Sequence, residues 1–199
     1  MIKDLSNKNI FKVLATESRR ANLTPNQLAI VHKKLGQLLS YEILDFAEME
    51  EIEINHVQGI KKSLSISYSE KYIILVLMRG GLYVAEGIKE IFDGRYKYEF
   101  INNNNDILPI LNKYKNDADK YNLIIVDSVI NTGKTVDQVL SISKQFKFKK
   151  QFITTLVIQE KAIEKYNSSD IYLLTVRISP NFYIGKGKTD TGNRIFGTI

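Results

Sequence analysis

Three stretches bring acids, cations, hydroxyls and glycines together in patterns that suit a reaction site. The first is Val126-Asp-Ser-Val-Ile-Asn-Thr-Gly-Lys-Thr135, which follows an apolar run and ends as a P-loop nucleotide site ends. A P-loop needs a first glycine five residues before Gly133, and Ser128 stands there instead. An acid, Asp127, also sits at the expected strand end, and no later apolar strand ends in a convincing second acid for Mg²⁺. ATP hydrolysis and an ordinary strand–turn–helix remain competing readings. The second stretch is Met78-Arg-Gly-Gly81, another turn after an apolar run. The third is the tail from Tyr183 to Arg194, a loop-like run with three glycines. His32 and His56 have no partners in a ligating or catalytic pattern; His32, next to Lys33, is expected at the surface. Glu42 and Asp45 share a helix face and are expected to be solvated.

The elements that must position these stretches are legible in hydrophobic spacing. Thr24-Pro25 reads as an N-cap and first helical residue, and Leu28, Val31, Leu35, Leu38, Leu39 and Ile43 follow at helical spacing over 25–46. Residues 50–69 alternate and predict one or two strands. The runs at 73–77, 123–126, 152–158 and 171–176 predict strands buried on both faces, and 96–101 a further strand. Helices are expected at 82–92, 135–145 and 161–166. Strands alternating with helices mean an α/β fold with a mostly parallel sheet flanked by helices, whose ligands sit beyond the carboxyl ends of the strands. Both glycine-bearing turns leave such ends.

At 199 residues, one domain is expected, with a core over about 70–178, an N-terminal helical segment at 1–50 and a C-terminal hood at 179–199. No apolar run approaches the ~20 residues that span a bilayer, and no leader is evident, so a cytoplasmic protein is expected. The absence of cysteine excludes disulfides, thiolate metal sites and a thiol nucleophile. The net charge of +6 suits an anionic small molecule or nucleic acid. The basic run at 144–150 has alternating aromatics and reads as the approach to a strand, so nucleic acid is not the expected partner.

The loop at 123–135 resembles that of type I phosphoribosyltransferases: apolar strand, acid, apolar residues, Thr-Gly-x-Thr, helix. Over residues ~24–199 the chain resembles one branch, the uracil phosphoribosyltransferases. Gly36-Gln-Leu-Leu-Ser-Tyr-Glu42 is similar to that family's N-terminal helix signature. Leu77-Met-Arg-Gly-Gly-Leu82 is similar to its Leu-Arg-Ala-Gly-Leu pyrophosphate loop. Asp190-Thr-Gly-Asn-Arg-Ile-Phe-Gly-Thr198 is similar to its Asp-Ala-Gly-Asp-Arg-Ile-Phe-Gly-Thr ending. The resemblance implies a type I fold and the reaction of uracil with 5-phosphoribosyl-1-pyrophosphate (PRPP) to give UMP and pyrophosphate. It also implies Mg²⁺ and a homodimer or larger homo-oligomer. It assigns PRPP to Arg79, Gly80, Asp127, Ser128, Asn131, Thr132, Gly133, Lys134 and Thr135. Within that set, Asp127 takes the ribose hydroxyls, the 131–135 turn the 5′-phosphate and Arg79 the leaving pyrophosphate. Asp190 is the expected outer-sphere partner of Mg²⁺ and, with Arg79, the catalytic pair. Tyr183, Ile184, Thr189 and Asp190 are the expected base-binding positions.

The chain departs from that pattern at the ligand sites. The segment after the strand at 96–101 lacks the family's PRPP-binding Arg, for which Lys113 or Lys115 could stand in. Lys186-Gly-Lys-Thr-Asp190 replaces Pro-Gly-Leu-Gly-Asp, and Gln159-Glu160-Lys161 replaces an Ala-Pro-Glu-Gly run. These changes point to altered base preference or to a binding or regulatory role, with RNA one candidate ligand.

Overall fold

The computed structural model describes residues 1–92, 94–168 and 170–198. Its strands are β1 (Ile2–Asp4), β2 (Met49–His56), β3 (Gly59–Ile66), β4 (Lys71–Leu77), β5 (Tyr96–Ile101), β6 (Tyr121–Ile130), β7 (Gln151–Gln159), β8 (Ile171–Thr175) and β9 (Ile178–Ser179). Its α-helices are α1 (Asn9–Ser18), α2 (Pro25–Leu44), α3 (Leu82–Ile91), α4 (Ile107–Asn112), α5 (Lys134–Ser143), α6 (Glu160–Ile163) and α7 (Thr191–Phe196). Seven strands form one sheet in the order β1-β8-β7-β6-β4-β5, with β9 beside the end of β7. Its pairings are all parallel. β2 and β3 form a separate antiparallel hairpin.

The central strands are apolar throughout because helices cover both faces. Tyr72, Ile74 and Val76 face a core with Leu35 and Leu39 of α2 and Val84 and Ile88 of α3. Ile73, Leu75 and Leu77 face the opposite core, with Ile107 and Leu111 of α4 and Val136 and Val139 of α5. Helix α2 starts where Thr24 predicts. Its hydroxyl accepts from Gln27 N at 3.3 Å, and Thr24 N donates to Gln27 Oε1 at 2.9 Å, a capping box.

Several expectations shift. The N-terminal segment is not only helical, since Ile2–Asp4 adds a parallel strand to β8. Three residues were too few to show a pattern. The run at 161–166 splits into α6 and a 3₁₀ turn over Glu164–Tyr166. The tail is not all loop, because Thr191–Phe196 forms α7, capped by Asp190 Oδ1 accepting from Asn193 N at 2.7 Å. Glu42 is buried rather than solvated. Burial pushes its pKa up, but hydrogen bonds and charge from Lys3 and Lys8 outweigh that and hold it below the usual carboxylate range. Those two lysines flank the β1–α1 turn, so the ion pair ties the N-terminus to α2.

Candidate functional site

The loop after β4 and the extension of β6 make the centre of the site. β4 pairs with β6 from Lys71↔Tyr121 to Val76↔Val126 and then turns away. β6 continues beside β7 alone, through Asp127↔Thr155 to Ile130↔Ile158. Asp127 is therefore inside a strand, not at its end as the apolar run suggested. The departure of β4 opens the edge on which Asp127 stands. Gly81 fills that junction. A Cβ there would lie 2.4 Å from Val126 O, so only glycine lets the 78–81 turn pass so close to β6. The Met78–Arg79 peptide is cis.

Asp127 sits on the cavity floor, and its Oδ1 accepts from Val129 N at 3.4 Å. Burial pushes its pKa up to about 7, against weaker lowering by the Val129 and Ser128 amides. Ser128 Oγ beside it is buried without a hydrogen-bond partner.

The turn from Asn131 to Thr135 leads into α5. Gly133, the residue before that helix, has φ of +75° and caps it with no side chain; Lys134 N donates to Thr132 Oγ1 at 3.4 Å, and the next first-turn N–H groups of α5 are left for an anion. Beneath the turn, Tyr166 donates its hydroxyl to Asp137 Oδ1 at 2.9 Å and lies 3.3 Å from Gly133 O. Lys165 Nζ donates to Thr132 O at 2.9 Å. The turn is thus clamped from below and open above. A hollow of about 170 Å³ is lined by Asp127, Asn131, Thr132, Gly133, Lys134 and Thr135.

The tail folds back over this floor. Asn131 brackets the Tyr183 main chain, accepting from Tyr183 N at 3.2 Å and donating to Tyr183 O. Arg79 donates to Asn193 Oδ1 at 2.7 Å and Thr198 Oγ1 at 3.3 Å, and its guanidinium stands 5.8 Å from the Phe196 ring centre. The 131–135 turn and the 78–81 turn are each tied to the C-terminal segment. Between them lies a cavity of about 510 Å³. It gathers Arg79, Gly80, Asp127, Ser128, Asn131, Tyr183, Thr189 and Asp190 from the expected site. The two hollows share Asp127, Val129 and Asn131 and form one groove. Ile184 does not line it and is 71% exposed.

The cavity also holds residues that sequence reasoning did not select. Arg19, His32, Arg177 and Arg194 line it. His32 is 4% exposed, not a surface residue, because α1 and α7 cover that face of α2. Burial, helped by the Arg194 charge, pushes its pKa down to about 3, so its ring is neutral, and Nδ1 has no partner. A lone histidine at helical spacing carries no signal of this. Arg177 could have been suspected as a cation just beyond a buried strand. Lys113, a suggested stand-in for the missing loop Arg, is instead paired with Glu99 at 2.8 Å. Among the described residues, no group of three or more His, Cys, Asp and Glu could cage a metal.

The architecture and sequence both have relatives. The solved AQ2163 protein of Aquifex aeolicus superposes with a TM-score of 0.77 at 21% identity, covering 98% of each chain. The uracil phosphoribosyltransferase of Malacoplasma penetrans is 30% identical over 180 residues, 83% of this chain and 84% of that protein. That of Sulfurisphaera tokodaii is 28% identical over 183 residues, 82% of this chain and 85% of that protein. The family profile described as uracil phosphoribosyltransferase matches residues 5–198, which takes in the groove's lining from Ala15 to Arg194. With its parallel sheet, its glycine-bearing turn before α5 and a tail folded over both, the chain belongs to the uracil phosphoribosyltransferase family, with the type I phosphoribosyltransferase fold.

Proposed function

We propose that the protein transfers the phosphoribosyl group of PRPP to uracil, forming UMP and releasing pyrophosphate. One observation carries this reading: a single groove joins an open helix start, a carboxylate and an arginine-bearing turn in the order that a 5-phosphorylated sugar pyrophosphate presents its groups. The amides of Thr132–Thr135 take the 5′-phosphate, helped by the dipole of α5 and the Thr132 and Thr135 hydroxyls. Asp127 accepts hydrogen bonds from the ribose hydroxyls. Arg79 exchanges its Asn193 and Thr198 partners for pyrophosphate oxygens, and Gly80 lets the backbone approach them.

In the reaction the C1–oxygen bond to pyrophosphate breaks with its electron pair, and a ring nitrogen bonds C1. The base's N–H proton passes to solvent. Arg79 stabilises charge that grows on the leaving group, and the turns hold C1 and the base in line. Tyr183, Thr189 and the backbone beside them form the wall against which uracil rests. Asp127 and Asp190 are the two carboxylates of the cavity. That donor set fits Mg²⁺ held mostly by substrate oxygens and water, with Asp190 reached through water. When bound, the ion neutralises pyrophosphate charge. Purified protein with PRPP, Mg²⁺ and radiolabelled uracil tests the reading. UMP formation that Arg79→Ala and Asp127→Asn each reduce supports it, and full activity in both variants removes the residue assignment.

A further inference from the structure

The PRPP contacts proposed above use one of the arginines of the groove. Four arginines line the larger cavity, Arg19, Arg79, Arg177 and Arg194, against two acids, Asp127 and Asp190. Among the described residues, none of the four forms an ion pair. Arg79 is assigned to pyrophosphate. Arg194 donates to Ser18 O at 3.5 Å and Arg20 O at 2.7 Å, so it closes the turn between α1 and α2.

Arg19 and Arg177 remain, on the Tyr183 side. Arg177 is held from two directions. Its carbonyl accepts from Ile158 N at 3.1 Å and Thr175 Oγ1 at 3.0 Å, which fixes its backbone beyond β8. Its guanidinium donates to the Tyr183 phenol and lies 5.7 Å from that ring's centre. Arg19 donates from Nε to Ala15 O at 3.1 Å and to Thr16 Oγ1 at 3.2 Å, leaving other N–H groups unengaged. Both cations line the cavity that Tyr183 faces. Burial pushes the Tyr183 pKa up, yet its hydrogen bonds with Ser179 and Arg177 and the nearby positive charges bring it below its ordinary value.

Two arginines that line the Tyr183 cavity without an ion pair leave positive charge that an anion beside Tyr183 would offset. The 5′-phosphate belongs at the α5 end and the pyrophosphate at the 78–81 turn, so the anion that faces Tyr183 is carried by the acceptor base. We propose that Arg177, supported by Arg19, recognises a carboxylate on the base, so that this site takes a carboxylated pyrimidine as well as uracil. The inference rests on the phosphoribosyl-transfer reading. The bond changes are those of the uracil reaction: ring N–C1 forms, C1–O to pyrophosphate breaks with its pair, the ring proton leaves, and the carboxylate is unchanged.

The test uses the full chain with PRPP and Mg²⁺, following pyrophosphate release with uracil and with uracil-6-carboxylate (orotate). The expected result is kcat/KM for orotate at least equal to that for uracil. In Arg177→Gln the orotate-to-uracil ratio falls at least tenfold, and in Arg177→Lys, which keeps charge but not the planar fork, it falls part of the way. A PRPP-induced thermal shift in each variant shows that it folds and keeps the PRPP site. Uracil turnover without orotate turnover, or an unchanged ratio in both variants, overturns the carboxylate inference and leaves the uracil reaction standing. Turnover of neither base, with PRPP still raising Tm, overturns both acceptor assignments.

Discussion

Asp127 is the residue on which chemistry and stability meet. Folded, it keeps its proton to about pH 7; unfolded, it releases it near the ordinary value of 3.8. The folded state therefore binds more protons between these values, and the share of stability owed to Asp127 falls as pH rises through that window. Asp127→Asn removes the titration, so its Tm should gain on the parent's between pH 5 and pH 8 in thermal melts. Activity runs the other way. On the proposed reading only the carboxylate can accept from both ribose hydroxyls, so the parent's kcat/KM for PRPP should rise with pH through about 7. Asp127→Asn should lose that limb and about 10²-fold in rate, the scale of removing one charged positioning group. Its type and place after an apolar run were legible in sequence. Its half-buried place inside β6, at an edge facing the cavity, was not, because that depends on β4 turning away at Val126 while β7 stays paired.

At the scale of elements, α5 and α2 have starts that can be broken singly. Gly133 is required twice, by its φ of +75° and by Tyr166 OH, which an added Cβ would meet at 2.2 Å. Gly133→Ala should cost about 1–3 kcal/mol, seen as a lower Tm, and should weaken PRPP binding by displacing the amides before α5. Thr24→Ala removes one half of the α2 capping box and should cost about 1 kcal/mol, with PRPP affinity unchanged, since Thr24 lies outside the groove. A denaturant titration beside a binding isotherm separates the two cases. Both starts were readable, as Thr-Pro before a helical stripe and as Asn-Thr-Gly after a strand. Helix α7 was not: Asp190-Thr-Gly-Asn-Arg has too few apolar positions to show a period, and the helix exists because Asp190 caps it and Ile195 packs on Leu28 and Ala29.

At the scale of the whole molecule, the groove is assembled from distant parts of the chain. Residues 15–35, the turns after β4 and β6, and the tail beyond Arg177 all reach it. A ligand bridging them binds the folded state alone, so PRPP at 100 times its Kd should stabilise by about 2.7 kcal/mol. For a chain of this size that is a rise in Tm of about 5–10 °C, readable by differential scanning, and Arg79→Ala should shrink it. No helix of the described residues is long and apolar enough to cross a membrane.

The parallel α/β class, the central strands and the turn at 131–135 are all legible in the sequence. These depend on local signals: continuous apolar runs, a helix cap, and a glycine where the backbone must turn left-handed. It also singled out Arg79, Asp127 and Asp190. Packing alone set the burial and neutrality of His32, the ion pairs of Glu42, and the placing of Arg19 and Arg177 in the Tyr183 cavity. Each of those outcomes depends on what a second, distant segment lays over the residue. Burial and charge pairing are properties of the packed neighbours, and residue type and spacing carry no record of them.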